Sequence, residues 1–96
     1  MTGGSRPRRR AGIRTEPLPD GSVVLFDADA AMAHPISASA ALIWEACDGA
    51  QTVDDIVEKV GAVYDAPAET IARDTEALLR HLSELGLIVP ADGAGD

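Results

Sequence analysis

Cys47 is the only cysteine of the chain, and the side chain with the intrinsic chemistry of a strong nucleophile. A thiol attacks as the thiolate, which needs an electropositive setting and a base within reach. The neighbours here are Glu45 and Asp48, two acids that raise a thiol pKa. Cys47 also falls on the apolar side of a helical stretch, where a free cysteine behaves as a small hydrophobe. The two histidines, His34 and His81, stand in different elements, and neither has a cysteine or carboxylate at a metal-ligand spacing. The acidic pairs Asp54-Asp55 and Glu45/Asp48 have the charge to hold a cation, yet helix capping and solvation explain both positions. The glycines form neither G-x-G-x-x-G nor G-x-x-x-x-G-K-[ST], so no loop cradles a nucleotide phosphate. The Asp-Ser pair on which acyl carriers mount a prosthetic arm is missing. No catalytic residue, metal ligand or cofactor follows, and the chain reads as a protein that is not an enzyme.

What would position such residues is a single domain, since ninety-six residues allow one modest core. Much of the 46% apolar content is alanine, and only Phe26, Trp44 and Tyr64 are aromatic, so the core must come from Leu, Ile and Val. A lone cysteine excludes an internal disulfide and fits a reducing cytoplasm. No apolar run approaches the roughly 20 residues of a membrane span, and no h-region follows the basic N-terminus. A cytoplasmic protein without a membrane partner is expected. Five of the eight basic residues, Arg6, Arg8, Arg9, Arg10 and Arg14, lie in the first fourteen positions. From Thr15 onward three basic residues face sixteen acidic ones, a net charge of −13. Such a body repels nucleic acid and attracts basic partners. Residues 1–11, rich in Gly, Pro and Arg, read as a disordered tail that is dispensable for folding, and residues 90–96 as a second one.

Between the tails, residues 12–89 read as a small α+β domain. Ile13 to Leu18, Ser22 to Phe26 and Ala31 to Ile36 are strand candidates separated by turn residues, which suggests an antiparallel meander. Pro35 offers no N–H, so the third strand belongs at an edge, or ends there before Ser37. A helix from about Ser39 to Cys47, capped by Ser37 or Ser39, buries Leu42, Ile43, Ala46 and Cys47, with Trp44 beside that stripe and Gly49 as the residue that stops it. A second helix starts at Thr52, whose hydroxyl accepts from Asp55, and repeats its apolar residues at Val53, Ile56, Val57, Val60 and Tyr64. A third has Pro67 at its first position and Gly86 past its end, with a buried stripe of Ile71, Thr75, Leu78, Leu82 and Leu85. Ala72 and Leu79 form a second, weaker apolar edge. Glu69 with Arg73 and Glu76 with Arg80 are spaced as i,i+4 ion pairs.

The order of these signals resembles the PqqD-like family. It is carried by Leu42-Ile43-Trp44, Cys47-Asp48-Gly49, Thr52, Ile56-Val57, Tyr64-Asp65, Pro67 and Leu85-Gly86-Leu87-Ile88, with Asp20-Gly21, SVVLF and AMAHPIS upstream. The resemblance implies a winged-helix-like fold, a three-stranded antiparallel sheet followed by three helices, known as the RiPP recognition element. It implies a peptide chaperone that binds the leader of a ribosomally made precursor by strand addition and presents it to a radical SAM protein, protease or cyclase. The matching peptide-binding positions are Ala31, Met32, Ala33, His34 and Ile36 on the third strand, and Ala72, Glu76, Leu79, Arg80 and Ser83 on the third helix. Two rivals stay open: a winged-helix transcription regulator and a structural subunit with no groove of its own. The helices speak against the regulator, because acids outnumber the Arg and Lys that phosphate contacts require.

Overall fold

The computed structural model describes residues 3–90. Along them run β1 (Pro7–Arg9), β2 (Ile13–Pro17), β3 (Val23–Asp27), β4 (Met32–Ile36), α1 (Ala38–Ala46), α2 (Val53–Val63), α3 (Ala68–Glu84) and β5 (Ile88–Pro90). β2, β3 and β4 form an antiparallel sheet in that order, as the meander predicts. The register sets Thr15 against Leu25 and Leu25 against His34 on the inner face. On the outer face Arg14 opposes Phe26, and its guanidinium lies 5.3 Å from the ring centroid. The β2–β3 turn is closed by Asp20, whose carboxylate accepts from the Ser22 amide at 2.9 Å, with Gly21 at φ 90° where a Cβ would be strained. Pro35 lies inside β4, opposite Val24, and the strand continues to Ile36.

The expectation of a disordered N-terminus does not hold within residues 3–11. β1 pairs antiparallel with β5, and Pro7 is among the fully buried residues. Helix ends explain why this segment is ordered, since each leaves several main-chain groups without intrahelical partners. At the start of α2, the Val53 and Asp54 amides donate to the carbonyls of Ser5 and Gly3, while the Asp55 amide donates to Thr52 Oγ1. Asp55 returns the contact by accepting from the Thr52 amide at 3.0 Å, so a full capping box stands where one half was predicted. That hydrogen bond holds the Asp55 carboxyl below its ordinary range. At the end of α1, Arg9 donates to the carbonyls of Trp44 and Glu45 at 3.2 and 2.7 Å. A cation there also meets the negative end of the helix dipole. Gly49, expected as the helix stop, lies two residues beyond the C-cap Cys47; its φ of 84° lets its amide donate to Pro7. Residues 1–2 and 91–96 lie outside the described residues.

The helical core contains Trp44, 1% exposed, in one buried cluster with Ile56, Val53 and Leu87. Trp44 therefore joins the buried face rather than flanking it, and its Nε1 is buried without an acceptor among the described residues. Tyr64, the expected last member of the α2 stripe, is the C-cap and 39% exposed. On α3 the buried residues are Ile71, Thr75, Leu79 and Leu82. Leu79 is 1% exposed and Leu85 38%, the reverse of the predicted assignment. The helix ends in a Schellman motif: Gly86, at φ 75°, donates to Ser83, and Leu87 to Leu82. Pro67 is the N-cap, one position earlier than expected. Neither Glu69–Arg73 nor Glu76–Arg80 closes as an ion pair; Arg73 lies instead 3.9 Å from Asp74 on an exposed surface.

Among the described residues, the two buried polar ones are Asp27 and Thr75. Asp27 is paired with Arg10 at 2.6 Å, and this hydrogen-bonded cation holds its carboxyl below the usual carboxylate range. The pairing is thus intact at neutral pH and is lost only as pH falls through that depressed value.

Deleting residues 1–10 removes at least five interelement main-chain bonds, each contributing ~1 kcal/mol net. A loss of ~3 kcal/mol or more is expected, read as a Tm lower by at least about 10 °C. Trp44→Ala should cost ~3–5 kcal/mol in chemical denaturation. Trp44→Phe should cost ~2 kcal/mol less than that, because it keeps ring volume and removes a buried donor without an acceptor. Leu79→Asp should abolish cooperative unfolding by circular dichroism, whereas Leu85→Asp should leave it within ~1 kcal/mol of the parent, as surface changes usually do.

Candidate functional site

With β2 and β3 paired on its other side, β4 is an edge of the sheet. An edge carries main-chain N–H and C=O groups able to pair with another extended chain. Five residues are ordered there because Ala31, at φ 54°, turns the chain out of β3 and Ser37 caps α1 immediately after Ile36. The Ser37 hydroxyl accepts from the Ala40 amide at 3.2 Å, so strand end and helix start are fixed by one side chain.

A cleft of about 260 Å³ separates β4 from α3. The strand contributes Ala33, His34, Pro35 and Ile36, and the helix contributes Leu78, His81, Leu82 and Leu85. Ala40 and Leu87 also line it. A second cavity of about 380 Å³ adjoins it between α1, α2 and α3, and the two share Ala40 and Leu78. A third, of about 390 Å³, lies at the β3–β4 turn, where Arg14, Phe26 and Met32 are among its walls. The cleft beside β4 is the smallest of the three, yet it combines an apolar wall with a free strand edge. That combination suits an extended peptide: main-chain bonds to the edge, and alternate side chains into the cleft.

The predicted site residues divide sharply. Met32, Ala33, His34 and Ile36 all lie in β4, and the last three line the cleft. Ala31 falls just outside the strand, in the turn. On α3 none of the five predicted residues lines it. Leu79 is core, Ala72 is half-buried, and Glu76, Arg80 and Ser83 are exposed. The cause is helical phase. At about 100° per residue, Ala72, Glu76 and Ser83 cluster on one side of the core stripe, and Leu78, His81 and Leu85 on the other. Both flanks carry apolar and polar residues at helical spacing, so periodicity does not tell which one faces the sheet. The signal available in the sequence was the exposed leucine itself: Leu78 and Leu85 together with Leu79 and Leu82 make more apolar residues than one buried stripe needs.

The histidines, remote in sequence, both line this cleft, His34 from the strand and His81 from the helix. No group of three or more His, Cys, Asp or Glu residues able to hold a metal occurs among the described residues. Cys47 is buried, and its thiol donates to the Ile43 carbonyl at 3.3 Å. Burial, more than the adjacent Asp48, pushes its pKa up to about 12, so it remains a protonated thiol. No helix of the described residues is long and apolar enough to cross a membrane.

Comparison with curated protein sequences finds no match. Two solved structures share the fold. One, described as TbiB1 in complex with the TbiA(beta) leader peptide, is 22% identical with a TM-score of 0.76, over 93% of this chain and 99% of that one. The other, lasso peptide synthetase B1 complexed with the leader peptide, is 24% identical with a TM-score of 0.77, over 90% and 100%. At such identities the likeness establishes the fold alone. The family whose model is described as Coenzyme PQQ synthesis protein D (PqqD) matches residues 22–88, from the start of β3 to β5. With most of the fold inside that match, the chain belongs to the PqqD family.

Proposed function

We propose that this protein is a peptide-binding chaperone that takes the leader of a ribosomally made precursor as an added strand on β4 and presents it to a modifying enzyme. The observation that carries this reading is the juxtaposition of a free strand edge with an apolar cleft closed by α3. Main-chain pairing along Met32–Ile36 supplies affinity with little demand on sequence, and side chains entering between Ile36, Leu78 and Leu85 supply selectivity. Both solved relatives are described as complexes with leader peptides, which supports the same choice of ligand. The receiving enzyme, a radical SAM protein, protease or cyclase, would meet the bound peptide on its outward side. The groups that bind are main-chain amides and leucines, so the domain contributes recognition rather than bond making.

The test is an NMR titration of the labelled protein. Suitable probes are the TbiA(beta) leader peptide and synthetic leaders of precursors encoded beside its gene. Amides of Met32, Ala33, His34 and Ile36 and of Leu78 to Leu85 should shift, and those of Asp54 to Val60 should stay near their free positions. Shifts concentrated in α2 with β4 unmoved would refute strand addition. In the same titration Leu85→Asp should bind at least tenfold more weakly, since an apolar anchor buried in such a cleft contributes ~1.5–3 kcal/mol.

A further inference from the structure

The two walls of the cleft belong to different hydrogen-bonded units. β4 hangs on β3 in the three-stranded sheet, whereas α3 runs through Gly86 and Leu87 into β5, which pairs with β1. Among the described residues no main-chain hydrogen bond joins the three-stranded sheet to α3 or β5. Arg10, in the connection between β1 and β2, reaches both. Its Nε donates to the Gly86 carbonyl at 2.6 Å, and its amide donates to the Leu87 carbonyl at 2.9 Å. The same guanidinium is 2.6 Å from the buried Asp27 carboxylate and 3.2 Å from the exposed Asp29. Asp27 is the β3 residue directly opposite Met32 in β4. Gly86 lies between Leu85 and Leu87, both of which line the cleft.

We infer that Arg10 is a positioning residue for the peptide cleft: its planar fork spans the sheet and the C-terminal end of α3 and fixes how far β4 stands from the helix. The inference deepens the proposed peptide-binding function and rests on it for its consequence, though not for its geometry. A guanidinium suits the task because it presents several donors in one rigid plane, here divided between a carbonyl and a carboxylate. Arg10 is not itself among the residues that line the cleft, so its side chain acts through the separation of the walls. A peptide that must pair with β4 and bury side chains against α3 at once is sensitive to that separation, because both contacts are short-ranged. Arg10 itself lies upstream of the matched family segment, 22–88, whereas its partners Asp27, Asp29, Gly86 and Leu87 lie within it.

The experiment compares the full chain with Arg10→Met, Arg10→Lys and Asp27→Asn. Arg10→Met keeps the main-chain bond to Leu87 and loses the fork; Arg10→Lys keeps the charge but not the planar reach to two partners. Each is made in a Cys47→Ala background with nitroxides on cysteines introduced at the exposed Ala33 and Glu84. Pulsed electron paramagnetic resonance then reads the distance between the walls without any peptide. The parent should give one narrow distribution, and Arg10→Met a broader or shifted one while circular dichroism still reports a cooperative melt. Without labels, Arg10→Met should bind the TbiA(beta) leader, or whichever leader the parent binds, at least tenfold more weakly, and Arg10→Lys should fall between. An unchanged distance distribution in folded Arg10→Met overturns the inference, as does unchanged affinity. Failure of all three variants to fold also overturns it, because the contact would then serve folding rather than cleft width. A parent that binds no leader removes the proposed function, while the spin-label distances still decide the role of Arg10.

Discussion

Helix termini expose main-chain groups that must find partners, and in this protein one short segment answers several of them. Residues 3–10 supply carbonyls to the first amides of α2, arginine donors to the last carbonyls of α1, and a contact to the carbonyl that follows α3. Buried main-chain groups without partners are costly. The three helices, linked by short loops and packed around a core with one tryptophan, have few other groups in reach. The mutual placement of the helices therefore depends on a strand that the family match does not include. A segment rich in Gly, Pro and Arg is ordered because its backbone, together with the side chains of Arg9 and Arg10, supplies the partners that the helix ends need.

The sheet is attached to this helical unit more lightly. Leu25 is its one fully buried apolar residue; Ile13, Val23 and Ile36 pack against the core while partly exposed. Asp27 adds a buried carboxylate that is satisfied by the Arg10 cation and by the Ala30 amide. A light attachment leaves a cleft between sheet and helix instead of a closed core. The edge strand beside it is short and contains Pro35, features that limit pairing with copies of the same chain. A partner of complementary shape still finds the edge and the leucines together.

The division of α3 into three faces makes the cleft specific in position. Its core face is filled by Ile71, Thr75, Leu79 and Leu82, and the flank bearing Leu78, His81 and Leu85 looks toward β4. The opposite flank, with Glu76, Arg80 and Ser83, is exposed. A rotation of one residue would exchange core and cleft leucines, so the closely packed neighbours of Leu79 hold the phase. The same packing explains why Leu85, at the C-cap and anchored by Gly86, is left at the rim.

Local rules were enough for the elements themselves. Alternation and turn residues placed β2 to β4, the Thr52 cap and the Val53–Val60 period placed α2, and the Pro67 and Gly86 pair bounded α3, because those signals act within a few residues of the chain. Proline's missing donor narrowed β4 to an edge strand or one that ends at Pro35, and the structure has an edge strand that continues to Ile36. Two things were not legible. The order of residues 3–10 depends on carbonyls and amides 35 to 80 positions away, and main-chain partners leave no mark on side-chain composition. The side of α3 that lines the cleft depends on where the sheet docks; Leu78 and Leu79, adjacent in sequence, point about 100° apart on a helix. Which of them is core and which meets a ligand is decided by packing between elements, and that exists only once the chain has folded.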